Sequence, residues 1–313
     1  MPRYTGEVTA TRVADGIVAV DTMMANRAEV TSAYVVEGSE PALVETGPTT
    51  SFRSLADGLA SLGLGPNDLA HVVVTHIHLD HAGGVGRVAE AFPRATVWVH
   101  DRGAQHLADP TKLLRSAARV YGEERMRELF GPVEPVAAGR IRSVDEGDTI
   151  LLGERRLDVL YTPGHASHHI CLVDSATGAL FTGDALGIHL PGAGELRPAT
   201  PPPEVDVEQG VQSIERIRAS ARSLLLFSHF GPVLEVDELC RLAASRLRRW
   251  AGLVRDAMSE TDDLDVIAQI LNTATAGERP SDPEAADRYD LLSSPRMNAA
   301  GLLRYWQKRD ESA

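Results

Sequence analysis

The feature that most constrains this chain is a dense group of polar side chains directly after an apolar run. The three valines at 72–74 form a short run of the kind that is buried on both faces of a sheet. Potential metal ligands follow at once, at His76, His78, Asp80 and His81. His76 and His78 are two residues apart, so their side chains point the same way while the backbone stays extended. The pattern predicts a strand with a metal site at its end.

Three more potential ligands follow predicted apolar strands elsewhere in the chain, namely His165, Asp184 and His229. One isolated histidine in such a place is usually part of a solvated polar loop. Loops at strand ends, however, hold functional groups on a rigid frame, so residues distant in sequence can converge. Imidazole and carboxylate ligands suit Zn²⁺, Fe²⁺ or Mn²⁺ without any thiolate. We therefore expect these residues to join the first group.

The composition narrows the classes of partner. The chain has 313 residues and a formal net charge of −13, which disfavours binding to nucleic acid or to an anionic membrane. Its two cysteines are too few for a disulfide framework or a thiolate zinc site. The sequence shows neither a signal-like segment at its start nor an apolar stretch long enough to span a bilayer. We expect a cytoplasmic protein that acts on a small molecule, and self-association into a homo-oligomer stays open.

Short β-branched runs alternate with helical patterns up to about residue 235, and helical patterns alone follow. We predict a catalytic domain over 1–235 and a helical C-terminal extension over 236–313. Within the domain, 103–131 is mostly helical in pattern and would form an insertion resembling a lid. The proline-rich segment 191–203 is expected to be a loop. The predicted strands lie at 17–21, 33–37, 42–45, 72–74, 96–99, 149–152, 157–161, 170–174, 179–182 and 224–227.

Together these motifs resemble those of the metallo-β-lactamase-fold hydrolase superfamily over roughly residues 10–235. The resemblance implies an α/β fold, more closely an αββα sandwich with a two-metal site at one edge, where Zn²⁺ is favoured and Fe²⁺ and Mn²⁺ are alternatives. A hydroxide shared by the two metal ions would be the nucleophile, and Asp80 would also orient it and shuttle its proton. The implied ligands are His76, His78 and His165 for the first ion, Asp80, His81 and His229 for the second, and Asp184 for both.

Departures from familiar patterns narrow the branch of the superfamily. Lactamases of this fold usually lack the complete ligand set, so Asp184 together with His81 argues against antibiotic hydrolysis. Acyl-homoserine lactonases carry a tyrosine three residues beyond the bridging aspartate, where this chain has Gly187. Glyoxalase II shares the full ligand set and a helical C-terminal extension, but its glutathione-binding residues have no match in this tail. Glu45 stands where the superfamily commonly has aspartate, which bears on the fine geometry of the site.

Four further residues are candidates for roles around the ligands. His168 and His169 either pack at the start of a strand or help to orient a ligand or touch substrate. His189, in the loop after Asp184, is either a substrate contact or simply exposed. Tyr121 lies in the insertion, whose apolar side would cover the metal cleft.

The sequence thus predicts a dinuclear metal-dependent hydrolase that acts on an ester, thioester or lactone of a small metabolite. The first alternative is an iron-dependent oxidoreductase resembling the persulfide dioxygenases, with one iron held by His76, His165 and Asp184. A metal-binding protein without catalytic turnover is the second alternative.

Overall fold

Two mixed β-sheets form the centre of the molecule. The computed structural model describes residues 9–190, 196–221 and 223–312. In the first sheet the strands are adjacent in chain order: β1 (Ala10–Ala14), β2 (Ile17–Asp21), β3 (Ser32–Val36), β4 (Ala42–Val44), β5 (His71–Val73), β6 (Thr96–His100) and β7 (Ile141–Val144). This sheet is antiparallel from β1 to β4 and parallel from β4 to β7.

The second sheet and a separate ribbon contain the remaining described strands. Their bounds are β8 (Thr149–Leu152), β9 (Arg155–Tyr161), β10 (Ile170–Asp174), β11 (Leu180–Gly183), β12 (Ile188–His189), β13 (Leu196–Arg197), β14 (Leu225–Phe227) and β15 (Gly231–Val233). The second sheet has six strands in the order β15, β14, β11, β10, β9, β8. All neighbouring strands in it are antiparallel except β11 and β14, which run parallel. The two-stranded ribbon joins β12 to β13.

The described helices pack mainly on the outer faces of the sheets or form the C-terminal tail. None of those in the described part of the chain is long and apolar enough to cross a membrane. Their bounds are α1 (Phe52–Ser61), α2 (Leu79–Ala82), α3 (Val85–Ala91), α4 (Asp101–Ala108), α5 (Thr111–Tyr121), α6 (Glu123–Leu129), α7 (Val207–Ser220), α8 (Val236–Ala257), α9 (Leu264–Ala274), α10 (Pro283–Leu292) and α11 (Pro295–Ser312).

The alternation of side chains along the strands explains the layered arrangement. In β5, Val72 packs with Leu55 and Leu59 of α1, whereas Val73 faces the second sheet. On the far side of the second sheet, Leu225 packs with helix α7. Because successive strand residues point to opposite faces, a run of apolar residues requires cover on both sides. The fold is therefore the predicted αββα sandwich with additional C-terminal helices.

The sequence located the central strands to within about two residues but did not predict the short strands β1, β7, β12, β13 and β15. The proline- and aspartate-rich stretch near 283 is the start of α10. There Asp282 accepts a hydrogen bond from the backbone N–H of Ala285, and Pro283 occupies the first turn of the helix. The segment 191–203, predicted to be a loop, contains strand β13, while 191–195 lies outside the described residues.

Helices α8, α9 and α11 of the tail share an apolar core, which Val205 and Val207 join from the sandwich. Trp250 of α8 is 1% exposed and packs among Val254, Ile267 and Leu302. Its indole N–H donates a 2.8 Å hydrogen bond to the carboxylate of Glu278. Burying an aromatic ring with its polar atom satisfied is strongly stabilising. Trp250 therefore holds the tail helices together.

We expect Trp250→Ala to destabilise the protein by about 3 to 5 kcal/mol, because it leaves a large cavity and removes the hydrogen bond from the indole to Glu278. The measurement is the free energy of unfolding from urea denaturation. Leu234→Ala is the control, since Leu234 is 70% exposed and its truncation should change stability by less than about 0.5 kcal/mol. Equal effects of the two changes would contradict the described packing of the tail.

Candidate metal centre

The seven predicted ligands lie at one edge of the sandwich, and the strand order explains why. His76 and His78 follow β5, and His165 lies in the connection between β9 and β10. Asp184 comes directly after β11, and His229 follows β14, the parallel neighbour of β11. Carboxyl ends of neighbouring parallel strands meet at the same edge of a sheet, so loops from both sheets converge there.

The first group of donors comprises His76, His78 and His165. One ring nitrogen of each lies within 4.8 Å of those of the others. The Nε2 of His165 is 2.8 Å from the Nδ1 of His78. The Nε2 of His76 is buried and has no hydrogen-bond partner among the described residues. A buried polar nitrogen without a partner is costly, and coordination of a metal would satisfy it.

The second group comprises Asp80, His81 and His229, whose donor atoms also lie within 4.8 Å of one another. The Nε2 atoms of His81 and His229 are 3.1 Å apart. One carboxylate oxygen of Asp80 lies 3.7 Å from the Nε2 of His81 and 3.5 Å from the Nε2 of His229. Such separations fit ligands placed about 2 Å from a common ion.

Asp184 lies between the two groups and faces both. Its Oδ1 is 3.3 Å from the Nε2 of His81 and 3.5 Å from the Nε2 of His229. Its Oδ2 is 3.6 Å from the Nε2 of His165. Oδ1 is buried and accepts no hydrogen bond from the described part of the chain. The two oxygens of one carboxylate are thus directed to different donor groups, as a bridging ligand would be.

Hydrogen bonds behind the imidazoles fix their orientation. In four of the imidazoles, Nδ1 faces a partner that is not one of the seven predicted ligands, and Nε2 is therefore directed towards the donor groups. An Nδ1–H group that donates to such an acceptor fixes the tautomer and leaves a lone pair on Nε2 for coordination. The four contacts are His76 to Thr75 Oγ1 at 3.0 Å, His81 to Glu45 at 3.2 Å, His165 to the carbonyl of Ala199 at 2.8 Å and His229 to the carbonyl of Val30 at 2.9 Å.

The charges of the site favour an ionised Asp184. Burial alone would raise its pKa, but His81, His229 and His165 lower that pKa well below its usual value. The same applies to Asp80, where His81 and His229 outweigh burial and lower the pKa. Burial lowers the pKa of the His76 imidazole, which keeps it neutral and able to coordinate.

Glu45 is a site residue to which sequence reasoning gave too little weight. It is fully buried, with a backbone φ of 68°, and its Oε1 accepts hydrogen bonds from Thr75 Oγ1 at 2.5 Å and Ser228 Oγ at 3.0 Å. The same oxygen faces His81 Nδ1. A non-glycine residue in this backbone region is strained and is often part of a functional site. The carboxylate of Glu45 therefore acts from behind the cluster, on the orientation of His81.

The structure also places the four additional candidates. His169 is fully buried, and its Nε2 accepts a 3.0 Å hydrogen bond from the backbone N–H of Asp184. Gly183 adopts a φ of 49°, and a Cβ there would collide with the same imidazole. His168 and Tyr121 line the cleft above the donors. His189 packs against Phe227, with ring centroids 5.6 Å apart, and is not among the residues that line the cleft.

The cleft above the donors has a volume of about 220 Å³ and mostly apolar walls. His78, Asp80, His165 and Asp184 form part of its floor. One wall comes from α5, within the segment predicted to resemble a lid, and a second comes from the prolines at 201–203. A concave apolar pocket with a few convergent polar groups is typical of a small-molecule site.

The C-terminal tail supplies a third wall, which no sequence pattern predicted. Leu292, Ser293, Met297 and Asn298 line the cleft. The side-chain carbonyl of Asn298 accepts hydrogen bonds from the backbone N–H and hydroxyl of Thr200, at 2.8 and 2.7 Å. The start of α11 is thereby fixed to the loop beside the donors. The tail is part of the site as well as an extension of the fold.

The comparison with protein families agrees with this arrangement. The family model described as the metallo-beta-lactamase superfamily matches residues 26–229. The chain belongs to this superfamily. That match contains every residue of the two donor groups and Asp184.

Individual superfamily members resemble the chain to different extents. ST1585 of Sulfurisphaera tokodaii is 28% identical over 211 residues, 66% of this chain and 74% of that protein. Its crystal structure covers 92% of this chain and 98% of its own, with a TM-score of 0.67 and 21% identity. The chicken (Gallus gallus) acyl-coenzyme A thioesterase MBLAC2 is 33% identical over 181 residues, 51% of this chain and 58% of that protein. Hydroxyacylglutathione hydrolase of Enterobacter sp. is 32% identical over 148 residues, 47% of this chain and 42% of that protein.

We expect Glu45→Gln to weaken binding of Zn²⁺ to metal-free protein by about 10- to 100-fold, because His81 loses its charged partner. The measurement is a competition titration with a chelating dye. Glu40→Gln is a matched control, because Glu40 is an exposed carboxylate 3.7 Å from His71, which lies outside the cluster. If both variants bind Zn²⁺ as tightly as the unchanged protein, Glu45 does not act on the metal centre.

Proposed function

We propose that the chain is a dinuclear metal-dependent hydrolase that cleaves an ester, thioester or lactone bond of a small metabolite. The observation that carries this proposal is the placement of Asp184, whose two carboxylate oxygens face two separate groups of donors. A single metal would need only one of those groups. The proposed ligands are those predicted from the sequence, with Zn²⁺ as the favoured ion.

The donor set fits two divalent ions on chemical grounds. It offers imidazole nitrogens and carboxylate oxygens, and two of its buried atoms, His76 Nε2 and Asp184 Oδ1, have no hydrogen-bond partner in the described chain. When bound, a pair of divalent ions supplies Lewis-acid polarisation of a carbonyl and a water of lowered pKa. Seven converging polar side chains would otherwise serve no purpose in folding.

Asp80 is the residue that we propose to handle protons. Its carboxylate borders the cleft and its side chain is 16% exposed, so a substrate or a water molecule can reach it. The neighbouring His81 and His229 lower its pKa below the usual value, in spite of burial, so it is ionised at neutral pH. An ionised carboxylate at this position can accept a proton from attacking water and pass it to the leaving group.

A thioester is the first substrate class to test. Two superfamily members of related sequence are named acyl-coenzyme A thioesterase and hydroxyacylglutathione hydrolase. The chain spans 58% and 42% of the length of those proteins, and we propose that it shares their thioester substrate class. The apolar wall of the cleft, with Leu113, Ala117 and Leu292, suits an acyl chain. Both cysteines are free and buried, which is consistent with the proposed cytoplasmic setting.

We expect Asp184→Asn to lower kcat/KM by at least about a hundredfold, because it removes the carboxylate charge shared by both donor groups. The assay is a panel of esters, thioesters and lactones run at defined Zn²⁺, Mn²⁺ and Fe²⁺, with metal content measured on the same samples. Asp158→Asn is the control, since Asp158 is an aspartate of β9 whose side chain is 43% exposed and does not line the cleft. Its activity should equal that of the unchanged protein.

Metal stoichiometry separates the rival functions. About two metal ions per chain with hydrolysis of a panel member would support the proposal. A folded protein that holds two ions and hydrolyses none of the panel would refute it. One iron per chain, with oxygen consumed in the presence of a persulfide, would favour the iron-dependent oxidoreductase. In that case His76, His165 and Asp184 would hold the iron.

A further inference from the structure

A second cavity adjoins the metal cleft and differs from it in charge. It has a volume of about 310 Å³ and lies between α5, α6 and the start of α11. The two cavities share the lining residues Val120, Tyr121, Pro202 and Met297. A molecule whose reacting bond lies over the metal donors could therefore extend past Tyr121 into this second space.

Three arginines from three different helices line the second cavity. Arg119 belongs to α5, Arg125 to α6 and Arg296 to α11. Arg119 and Arg125 are exposed and form no ion pair or hydrogen bond with any other described residue. By contrast, Arg296 pairs with Asp265 at 2.6 Å. Two guanidinium groups thus remain available to a ligand.

The acidic residue of this cavity does not offset that charge. Asp290 lines the cavity, but its two oxygens pair with Arg197 at 3.0 Å and Arg279 at 2.5 Å. Tyr121 lines both cavities, and burial raises the pKa of its phenol, which keeps it neutral. The cavity is therefore locally basic, in a chain whose formal net charge is −13.

We propose that this cavity binds an oxyanionic group, phosphate or carboxylate, on the part of the substrate that leaves with the thiol or alcohol. Guanidinium groups form paired, charge-assisted hydrogen bonds with either oxyanion. The acyl part lies against the apolar wall of the cleft, and Arg119 and Arg125 hold the anionic end of the leaving group. This inference rests on the proposed hydrolase function and narrows its substrate to acyl compounds with an anionic leaving group.

The test uses three thioesters that share one octanoyl group. Their thiols are N-acetylcysteamine, which is neutral, glutathione, which carries carboxylates, and coenzyme A, which carries phosphates. We expect Arg119→Gln and Arg125→Gln each to raise KM for at least one anionic thioester by about tenfold or more, and to leave the neutral thioester unchanged. A larger effect on coenzyme A identifies phosphate as the group that is bound, and a larger effect on glutathione identifies carboxylate.

Arg127→Gln is the matched control, because Arg127 is an exposed arginine of α6 that does not line either cavity. Calorimetric titration with free coenzyme A and free glutathione provides a readout that needs no turnover. If no thioester is hydrolysed but the Arg119→Gln/Arg125→Gln double variant loses binding of a free thiol, the subsite stands and the hydrolase proposal falls. If KM and Kd for both anionic compounds are unchanged, or if the neutral thioester is affected equally, the subsite is refuted.

Discussion

The buried carboxylate of Asp184 is the group on which the rest of the site depends. An ionised carboxylate at 6% exposure is costly unless other groups compensate its charge. Here His81, His229 and His165 surround it within 3.6 Å and lower its pKa. The backbone N–H of Asp184 donates a hydrogen bond to the imidazole of His169. Because these histidines come from loops of both sheets, the compensation of the Asp184 charge depends on the two sheets meeting in this geometry.

That geometry needs contributions from behind the donors. Glu45 receives hydrogen bonds from Thr75 and Ser228, which belong to loops of different sheets, and it faces His81 at the same time. A single carboxylate therefore joins the ends of β4, β5 and β14 beneath the donors. The larger glutamate, at the place where the superfamily commonly has aspartate, brings the charge into contact with the ring nitrogen of His81. The glutamate at position 45 thus orients the imidazole of His81.

The C-terminal tail connects stability to the shape of the cleft. The side chain of Arg197, 2% exposed, lies over the rings of Trp250 and Tyr289 and pairs with Asp290. Through these contacts, α8 and α10 are fixed to strand β13 beside the cleft. Asn298 then fixes α11 to Thr200. Because α10 and α11 line both the cleft and the arginine cavity, packing in the tail determines the space available to substrate.

The sequence by itself determined the layers and the donors. Apolar runs such as 72–74 require cover on both faces, and histidine or aspartate directly after such runs predicts ligands at strand ends, because both signals are local. It did not predict that Glu45 contacts His81, that Asn298 borders the cleft, or that Arg119, Arg125 and Arg296 share one cavity. Those relations join helices and loops far apart in sequence, whose residues have ordinary spacing within each segment. Only the docking of the tail and of 103–131 onto the sandwich brings them together, so the tertiary structure alone decided the shape and charge of the site.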